Sequence, residues 1–343
     1  MNLLVISENP NRSSFRERIA LYLDALTESG IQCRVEALPR AASARRKLFK
    51  SAREFDGVLI HKKGLNLFDV FWLRRYGRKV IYNFDDAIMY NSKKPDRFSP
   101  AHFIKFRTMA KLADLVITGN SYLADHARKY NSNVVVWLHG LKVADYACCP
   151  DRPMDGKIRL VWIGSKSTLG YLKQIKPALE EIGSRFDNAV LRIICDEFFD
   201  LENMQVEKRL WSAQTRVVDL AQADIGLAPL PDDRFTRGKC TFKILEYAAT
   251  GLPAIASPVG AHSDYIVHNV NGFLAKDNAQ WVGCMAALIQ DADLRKTMGA
   301  AARERVADFD LAVVEKRLCD VIKNCIGPNP PDKNALPRKR LED

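Results

Sequence analysis

The chain has 343 residues, of which 47% are hydrophobic and 27% charged, and its formal net charge is +11. This length exceeds the roughly 250 to 300 residues at which one hydrophobic core usually stops growing, so we expect two domains. The composition argues against a disordered chain, and no apolar run approaches the ~20 residues of a transmembrane helix. The positive charge favours a polyanionic partner, without choosing among nucleotide phosphates, nucleic acid and an acidic membrane.

Short β-branched runs alternate with segments of helical period in the first half of the chain. The runs predict strands at residues 3–7, 33–38, 57–61, 79–84, 115–119 and 134–138. Such alternation is typical of βαβ units and a parallel sheet, so residues 1–145 are predicted to form one doubly wound, Rossmann-like domain. The N-terminal segment lacks a basic region before its apolar residues and is predicted to be a buried strand rather than a signal peptide.

The pattern stops between residues 140 and 157, where two prolines and two glycines predict an interdomain connection. Strands are then predicted at 158–163, 190–195, 206–211, 224–230 and 253–257, and helices near 278–290, 292–307 and 310–326. We assign residues 155–310 to a second Rossmann-like domain, 311–326 to a C-terminal helix that crosses back, and the proline-rich 327–343 to a flexible tail. Ligands of such folds bind at the carboxyl ends of the strands, here in a cleft between the domains.

Eight cysteines occur singly or as one adjacent pair, without a CxxC motif. This pattern predicts reduced, mostly buried thiols in a cytoplasmic protein. Cys148 and Cys149 lack the second pair that a zinc site would need.

Two segments of the second half are candidate phosphate sites, although neither a GxGxxG motif after a first strand nor a P-loop is present. The loop that begins with Gly164 and Ser165 opens a predicted helix, whose free N–H groups favour an anion; a serine-capped helix explains the same residues. Lys239, Lys243 and Glu246 are spaced four and three apart, which predicts one face of a helix. The two lysines could bind a diphosphate, and the carboxylate of Glu246 could accept hydrogen bonds from the two hydroxyls of a ribose. The alternative interpretation is an exposed ion pair between Lys243 and Glu246.

Asp85 and Asp86 follow a predicted strand of the first domain at the cleft edge. One of them is a candidate to orient or deprotonate an acceptor hydroxyl, and a helix cap or ion pair is the alternative.

Four further residues of the first domain are candidates with weaker support. Ser13 and Ser14 open the first predicted helix, where they face an acceptor or simply cap the helix. His102 and His139 lie nearest the predicted cleft, and a structural role is the alternative for each.

The run from Ala223 to Ala275 resembles the donor-binding region of retaining GT-B glycosyltransferases of family four. Residues 79–90, 113–131 and 161–172 are similar to other landmarks of that family, in the expected order. The resemblance implies an α/β fold with two Rossmann-like, doubly wound parallel-sheet domains facing across a cleft. It also implies transfer of a sugar from a nucleotide diphosphate sugar to a glycan or glycolipid acceptor, with retention of configuration.

By this resemblance, Glu246 matches the second glutamate of the family's E-x7-E motif, which holds the donor ribose, while the first glutamate is replaced by Gly238. Lys239 and Lys243 are then expected to meet the phosphate charge, with no metal and no cofactor beyond the donor. The missing glutamate leaves open a catalytically weakened relative that acts as a scaffold or partner subunit. An inverting or epimerising GT-B enzyme is the other alternative.

Two stretches of the first domain, residues 44–53 and 67–79, mix apolar and cationic residues. They predict peripheral contact with an anionic membrane at the inner face of the plasma membrane, next to a lipid-linked acceptor; a solvated helix face is the alternative. Nucleic acid is not expected as a partner, because no recognised DNA or RNA module is present and the basic residues are spread over both domains.

Overall fold

The computed structural model describes residues 1–146, 154–240 and 242–327, except for the side chain of Ser13. It contains two six-stranded sheets in which all neighbouring strands are parallel. The predicted fold class is therefore confirmed. Cys148, Cys149 and the tail from residue 328 onwards lie outside the described residues.

The first sheet has the strand order β2-β1-β3-β4-β5-β6, with helices between consecutive strands. Its strands are β1 Asn2–Ser7, β2 Gln32–Ala37, β3 Gly57–His61, β4 Val80–Phe84, β5 Leu115–Thr118 and β6 Val134–Val136. Its helices are α1 Ser13–Arg18, α2 Leu23–Glu28, α3 Ala42–Ser51, α4 Leu67–Tyr76, α5 Pro100–Leu112 and α6 Ser121–Arg128.

The second sheet has the order β12-β11-β10-β7-β8-β9. Its strands are β7 Ile158–Ile163, β8 Ala189–Cys195, β9 Gln205–Leu210, β10 Ile225–Ala228, β11 Ala254–Ala256 and β12 Gly272–Leu274. The helices of this half are α7 Lys166–Lys173, α8 Lys176–Arg185, α9 Arg216–Ala221, α10 Phe242–Ala249, α11 His262–Tyr265, α12 Asn278–Gln290, α13 Ala292–Val306 and α14 Leu311–Ile326. Strand β12 is absent from the sequence prediction because it has only three residues and begins with a glycine.

Helices cover both faces of each sheet, which explains why the central strands are continuous apolar runs. Every residue of β3, β4 and β8 is buried. Each sheet separates two apolar clusters, one on each face, so each half of the chain has a core of its own.

Helix α14 packs against the first sheet, where Leu318 and Ile322 join the cluster formed by Leu3 and Val5 of β1. The chain therefore crosses between the sheets twice. The two crossings, near Leu141 and near Leu311, lie side by side, and the backbone N–H of Leu311 donates a hydrogen bond to the carbonyl of Leu141 at 2.9 Å. None of the described helices combines the length and apolarity needed to span a membrane.

Candidate active site

A cavity of about 570 Å³ lies where the carboxyl ends of the two sheets face each other. Its walls include residues that directly follow β3, β4, β7, β8 and β9, as expected for a ligand site of parallel sheets. The lining residues are Ser14, Arg16, Glu17, Lys62, Asp85, Asp86, His139, Ile163, Gly164, Ser165, Ser167, Thr168, Asp196, Trp211, Arg216, Lys239, Cys240, Phe242, Lys243 and Glu246. Nine of the eleven candidate residues of the sequence analysis are among them.

His102 and Ser13 are the two predicted residues that are not among the lining residues. His102 is exposed on α5 and its Nδ1 lies 2.7 Å from the hydroxyl of Ser99. Ser13 begins α1, but its side chain lies outside the described part of the chain. The structure thus brings Ser14, but not His102, to the cleft.

The two aspartates after β4 both pair with Lys62, a residue that the sequence analysis did not single out. Lys62 Nζ lies 3.0 Å from Asp85 Oδ1 and 2.6 Å from Asp86 Oδ2. Burial favours the neutral form, but the cations Lys62 and Arg18 still hold the pKa of Asp85 below its usual range. An aspartate with so low a proton affinity is a poor general base, which argues against that role for Asp85.

His139 is buried against Asp85, with Nε2 at 3.9 Å from Oδ2. Burial and the neighbouring Arg18 lower the pKa of His139 to about 3, although Asp85 opposes this shift. The imidazole is therefore neutral at pH 7, and its contact with Asp85 is not an ion pair. This favours the structural interpretation of His139.

Lys239 does not lie on the helix that the sequence predicted. It follows a short 3-10 turn, Thr236–Gly238, with extended backbone (φ −70°, ψ 137°), and α10 begins only at Phe242. The side-chain amide of Asn120 holds this loop by donating to the carbonyls of Arg237 at 3.0 Å and Lys239 at 3.2 Å. The first domain therefore helps to hold this loop, and the local spacing could not show this contact.

The side chain of Lys239 reaches across the cleft to the first domain. Its Nζ lies 2.9 Å from Asp86 Oδ1, so Asp86 bridges Lys62 and Lys239. Burial opposes the charge, but Asp86 raises the pKa of Lys239 above its usual value. Lys239 is thus a permanent cation at the cleft and is paired with Asp86.

Lys243 is a half-buried cleft lysine without a carboxylate within ion-pair distance among the described residues. Its Nζ lies 4.5 Å from the centre of the Trp162 ring. Burial lowers the pKa of Lys243 to about 7, although Glu246 opposes the shift. The exposed Lys243–Glu246 pair considered as the alternative is not observed.

Glu246 is only 5% exposed and is held from two other segments. Its Oε1 accepts a hydrogen bond from the Tyr146 hydroxyl at 2.9 Å and lies 3.5 Å from Arg216 Nη1. Burial raises the pKa of Glu246, against the effect of Arg216 and Tyr146. Both protein contacts involve Oε1, so Oε2 is the oxygen better placed to accept from a ligand.

The loop after β7 is packed more tightly than its sequence indicates. A Cβ at Gly164 would lie 2.5 Å from the Trp162 ring, so only glycine fits there. The backbone N–H of Ser165 donates to Thr168 Oγ1 at 3.2 Å, and the N–H of Lys166 donates to Asp196 at 2.9 Å. Asp196 thus already occupies part of the anion site predicted at the start of α7.

Sequence reasoning missed Glu17, Lys62, Asp196, Trp211 and Arg216 as lining residues. Three of them could have been predicted, because the residues that follow parallel strands line the ligand site. Lys62, Asp196 and Trp211 each come directly after the last residue of a strand. Glu17 and Arg216 lie in helices and carried no comparable signal.

Two Rossmann-like domains that face each other across a charged cleft are characteristic of the GT-B fold, and this chain has that fold. Residues 157–291, which make up most of the second domain, match the family described as Glycosyl transferases group 1. No curated protein sequence matches the chain.

Solved structures share the fold over nearly the whole chain. HepE of Anabaena, in complex with UDP and glucose, has 17% identity and a TM-score of 0.73, covering 94% of this chain and 100% of that chain. Sucrose-phosphate synthase of Thermosynechococcus elongatus has 13% identity and a TM-score of 0.71, covering 94% and 98%. A glycosyltransferase of Rickettsia africae has 14% identity and a TM-score of 0.69, covering 96% and 99%. At these identities the similarity establishes the fold.

Proposed function

We propose that the protein is a hexosyltransferase that moves a sugar from a nucleoside diphosphate sugar to a glycan or glycolipid acceptor. The observation that carries this proposal is the presence of Lys239, Lys243 and Glu246 in one interdomain cleft. The glycosyltransferase match of residues 157–291 covers the same three residues. The second domain binds the donor, and the first domain supplies the acceptor side.

The expected donor contacts follow from the charges of the cleft. A ribose diol donates to the buried carboxylate of Glu246, while the diphosphate lies beside Lys239 and Lys243. When the glycosidic bond breaks, negative charge grows on the diphosphate, and fixed cations stabilise it where it develops. These residues can neutralise the leaving group themselves, so we propose that transfer needs no metal ion.

We further propose retention of configuration, with the acceptor hydroxyl attacking on the face that the diphosphate leaves. The support is the resemblance of residues 223–275 to retaining family-four enzymes. The anomeric configuration of the product, measured by NMR, tests this directly. An inverted product supports the inverting alternative.

UDP is the first nucleotide to test, since HepE has been crystallised with UDP and with UDP-glucose. Thermal unfolding is followed with UDP, GDP, ADP, CMP and dTDP, each at a hundredfold excess over its dissociation constant where solubility allows. A ligand that binds only the folded state adds about 2.7 kcal/mol under that condition. If none of these nucleotides raises the melting temperature, the proposal fails.

A catalytically weakened relative is the second candidate, and the packing of Gly238 favours it. A Cβ at this position would lie 2.6 Å from the backbone nitrogen of Ala87 in the first domain. A glutamate at this position therefore requires the domains to separate. Binding of a nucleotide without hydrolysis of any nucleotide sugar, or transfer from it, would support this second candidate.

We also propose that the first domain contacts an anionic membrane at the cytoplasmic face. Leu67, Phe68 and Phe71 of α4 are 68%, 55% and 59% exposed, and Arg74 and Arg75 continue the same face of the helix. Exposed aromatic rings followed by cations suit the boundary between acyl chains and anionic headgroups. The guanidinium of the exposed Arg46 lies 4.2 Å above the Trp72 ring and adds to this charge.

A further inference from the structure

Five carboxylates line the cleft, and four of them have partners among the described residues. Asp85 and Asp86 contact Lys62, Asp196 accepts from the N–H of Lys166, and Glu246 accepts from Tyr146. The fifth, Glu17, has no hydrogen bond or ion pair to any described residue. A half-buried carboxylate without a partner is costly, which points to a ligand as its partner.

The position of Glu17 is fixed by its neighbours in α1. Phe15 is 3% exposed in the core of the first domain, and the Arg18 guanidinium stacks 4.2 Å from the Trp137 ring. These two residues anchor the helix on its buried side, and Glu17 lines the cleft. Glu17 therefore faces the donor-binding residues from the acceptor side.

The electrostatic surroundings of Glu17 favour a proton at near-neutral pH. Burial, together with the negative charges of Glu246 and Asp85, raises the pKa of Glu17 to about 7, whereas Arg216 and Arg16 oppose the shift. A general base is most effective when its pKa lies close to the working pH. Asp85, by contrast, is held ionised by Lys62 and its other cationic neighbours.

We propose that Glu17 is a catalytic residue that binds the acceptor hydroxyl and takes its proton during sugar transfer. The acceptor oxygen forms a bond to the anomeric carbon, and the bond from that carbon to the diphosphate oxygen breaks. The electron pair of the broken bond stays on the diphosphate, and the hydroxyl proton moves to the carboxylate of Glu17. This assignment rests on the proposed function and replaces Asp85 and Asp86 in the role of base.

The test compares the wild-type protein with Glu17→Gln and Glu17→Asp, and uses Glu28→Gln as a control at an exposed glutamate of α2. The probe is UDP-glucose with water as the acceptor, and the readouts are UDP affinity and the pH profile of kcat/KM. We expect Glu17→Gln to lose about 100-fold or more in kcat/KM above pH 7, with UDP affinity changed less than threefold. The wild-type profile of kcat/KM should rise towards pH 7 as Glu17 loses its proton and fall above pH 7 as Lys243 loses its own, and in Glu17→Gln the rising limb should vanish.

Glu17→Asp should recover part of the rate and keep the rising limb below pH 7, which a merely structural role would not produce. Wild-type turnover with an unchanged profile in Glu17→Gln would overturn the role of Glu17 while leaving the proposed function intact. Absence of both UDP binding and turnover in the wild type would instead overturn the proposed function and this inference with it. Thermal unfolding of each variant shows whether a reduced rate comes from unfolding. If Glu17→Gln does not fold, the rate and pH profile of Glu17→Asp decide whether Glu17 is the base.

Discussion

Lys243 should take up a proton when the donor binds. In the free protein its ammonium group faces the Trp162 ring without a carboxylate partner among the described residues, and burial lowers its pKa to about 7. A diphosphate beside it supplies the missing negative charge and should raise the pKa towards the ordinary value of about 10.4. Binding therefore shifts Lys243 from partly to fully protonated.

The size of the effect follows from that shift. With a free-state pKa of about 7, roughly nine-tenths of the lysine is neutral at pH 8 and only about one-tenth at pH 6. We expect uptake of about 0.9 proton at pH 8 and about 0.1 at pH 6. Because binding stabilises the protonated form, affinity should be highest below pH 7 and fall almost tenfold per pH unit above it.

Isothermal titration calorimetry in Tris and in HEPES, whose ionisation enthalpies differ, measures this uptake. UDP-glucose is the appropriate ligand, since its diphosphate diester has no group that titrates near neutrality. Lys243→Met should abolish the uptake and flatten the pH dependence, whereas Lys296→Met, at an exposed lysine of α13, should change neither. Tight binding at pH 8 without proton uptake, or equal uptake by Lys243→Met, would refute the reasoning.

Three further predictions test other parts of the site and surface. Glu246→Gln should weaken UDP binding by roughly 1.5 to 3 kcal/mol, as expected for hydrogen bonds to a charged group, and unchanged affinity by calorimetry would contradict the ribose assignment. Lys239→Ala should weaken UDP binding roughly tenfold, about 1.4 kcal/mol, and leave the affinity for uridine unchanged. Equal losses of affinity for UDP and uridine would show that Lys239 does not contact the phosphates. The double variant Phe68→Ser, Phe71→Ser should reduce sedimentation with phosphatidylglycerol vesicles by roughly tenfold or more, from the lost burial of two rings, whereas Val313→Ser, at an exposed valine of α14, should not. Equal sedimentation of both variants would exclude α4 as the contact.

The sheets could be predicted from the sequence because their signal is local. A strand buried on both faces needs a short apolar run, and a parallel sheet needs a helix between successive runs. Gly57–His61 and Val80–Phe84 meet both conditions, so they were found with nearly the observed bounds. The rule that ligands bind at the carboxyl ends of parallel strands then located Asp85, Asp86 and the loop that begins with Gly164 and Ser165.

The charge pairing of the cleft could not be predicted, since it joins residues that are distant in the sequence. Lys239 pairs with Asp86, 153 positions away, and Tyr146 reaches Glu246 across 100 positions. The loop of Lys239 is held in part by Asn120, a residue distant in the sequence, and the predicted helix began too early. Glu17 carried no signal in the sequence, because it was singled out by the absence of a partner among the residues that the structure describes.

Burial without an oppositely charged partner shifts the pKa values of both Glu17 and Lys243. Each is a charged group in the cleft without an oppositely charged partner among the described residues, and burial moves both pKa values to about 7 from opposite directions. Each therefore lowers the stability of the free protein at neutral pH, since the unfolded chain would leave both groups fully ionised. In the proposed reaction, a diphosphate would offset this loss of stability at Lys243 on the donor side, and an acceptor hydroxyl would offset it at Glu17. The paired residues around them, Lys62 with Asp85 above all, keep their charges whether or not a ligand is bound. The described part of the cleft thus combines a set of ion pairs with two groups that lack an oppositely charged partner, and in the proposed reaction we expect these two groups to change protonation when the substrates bind and react.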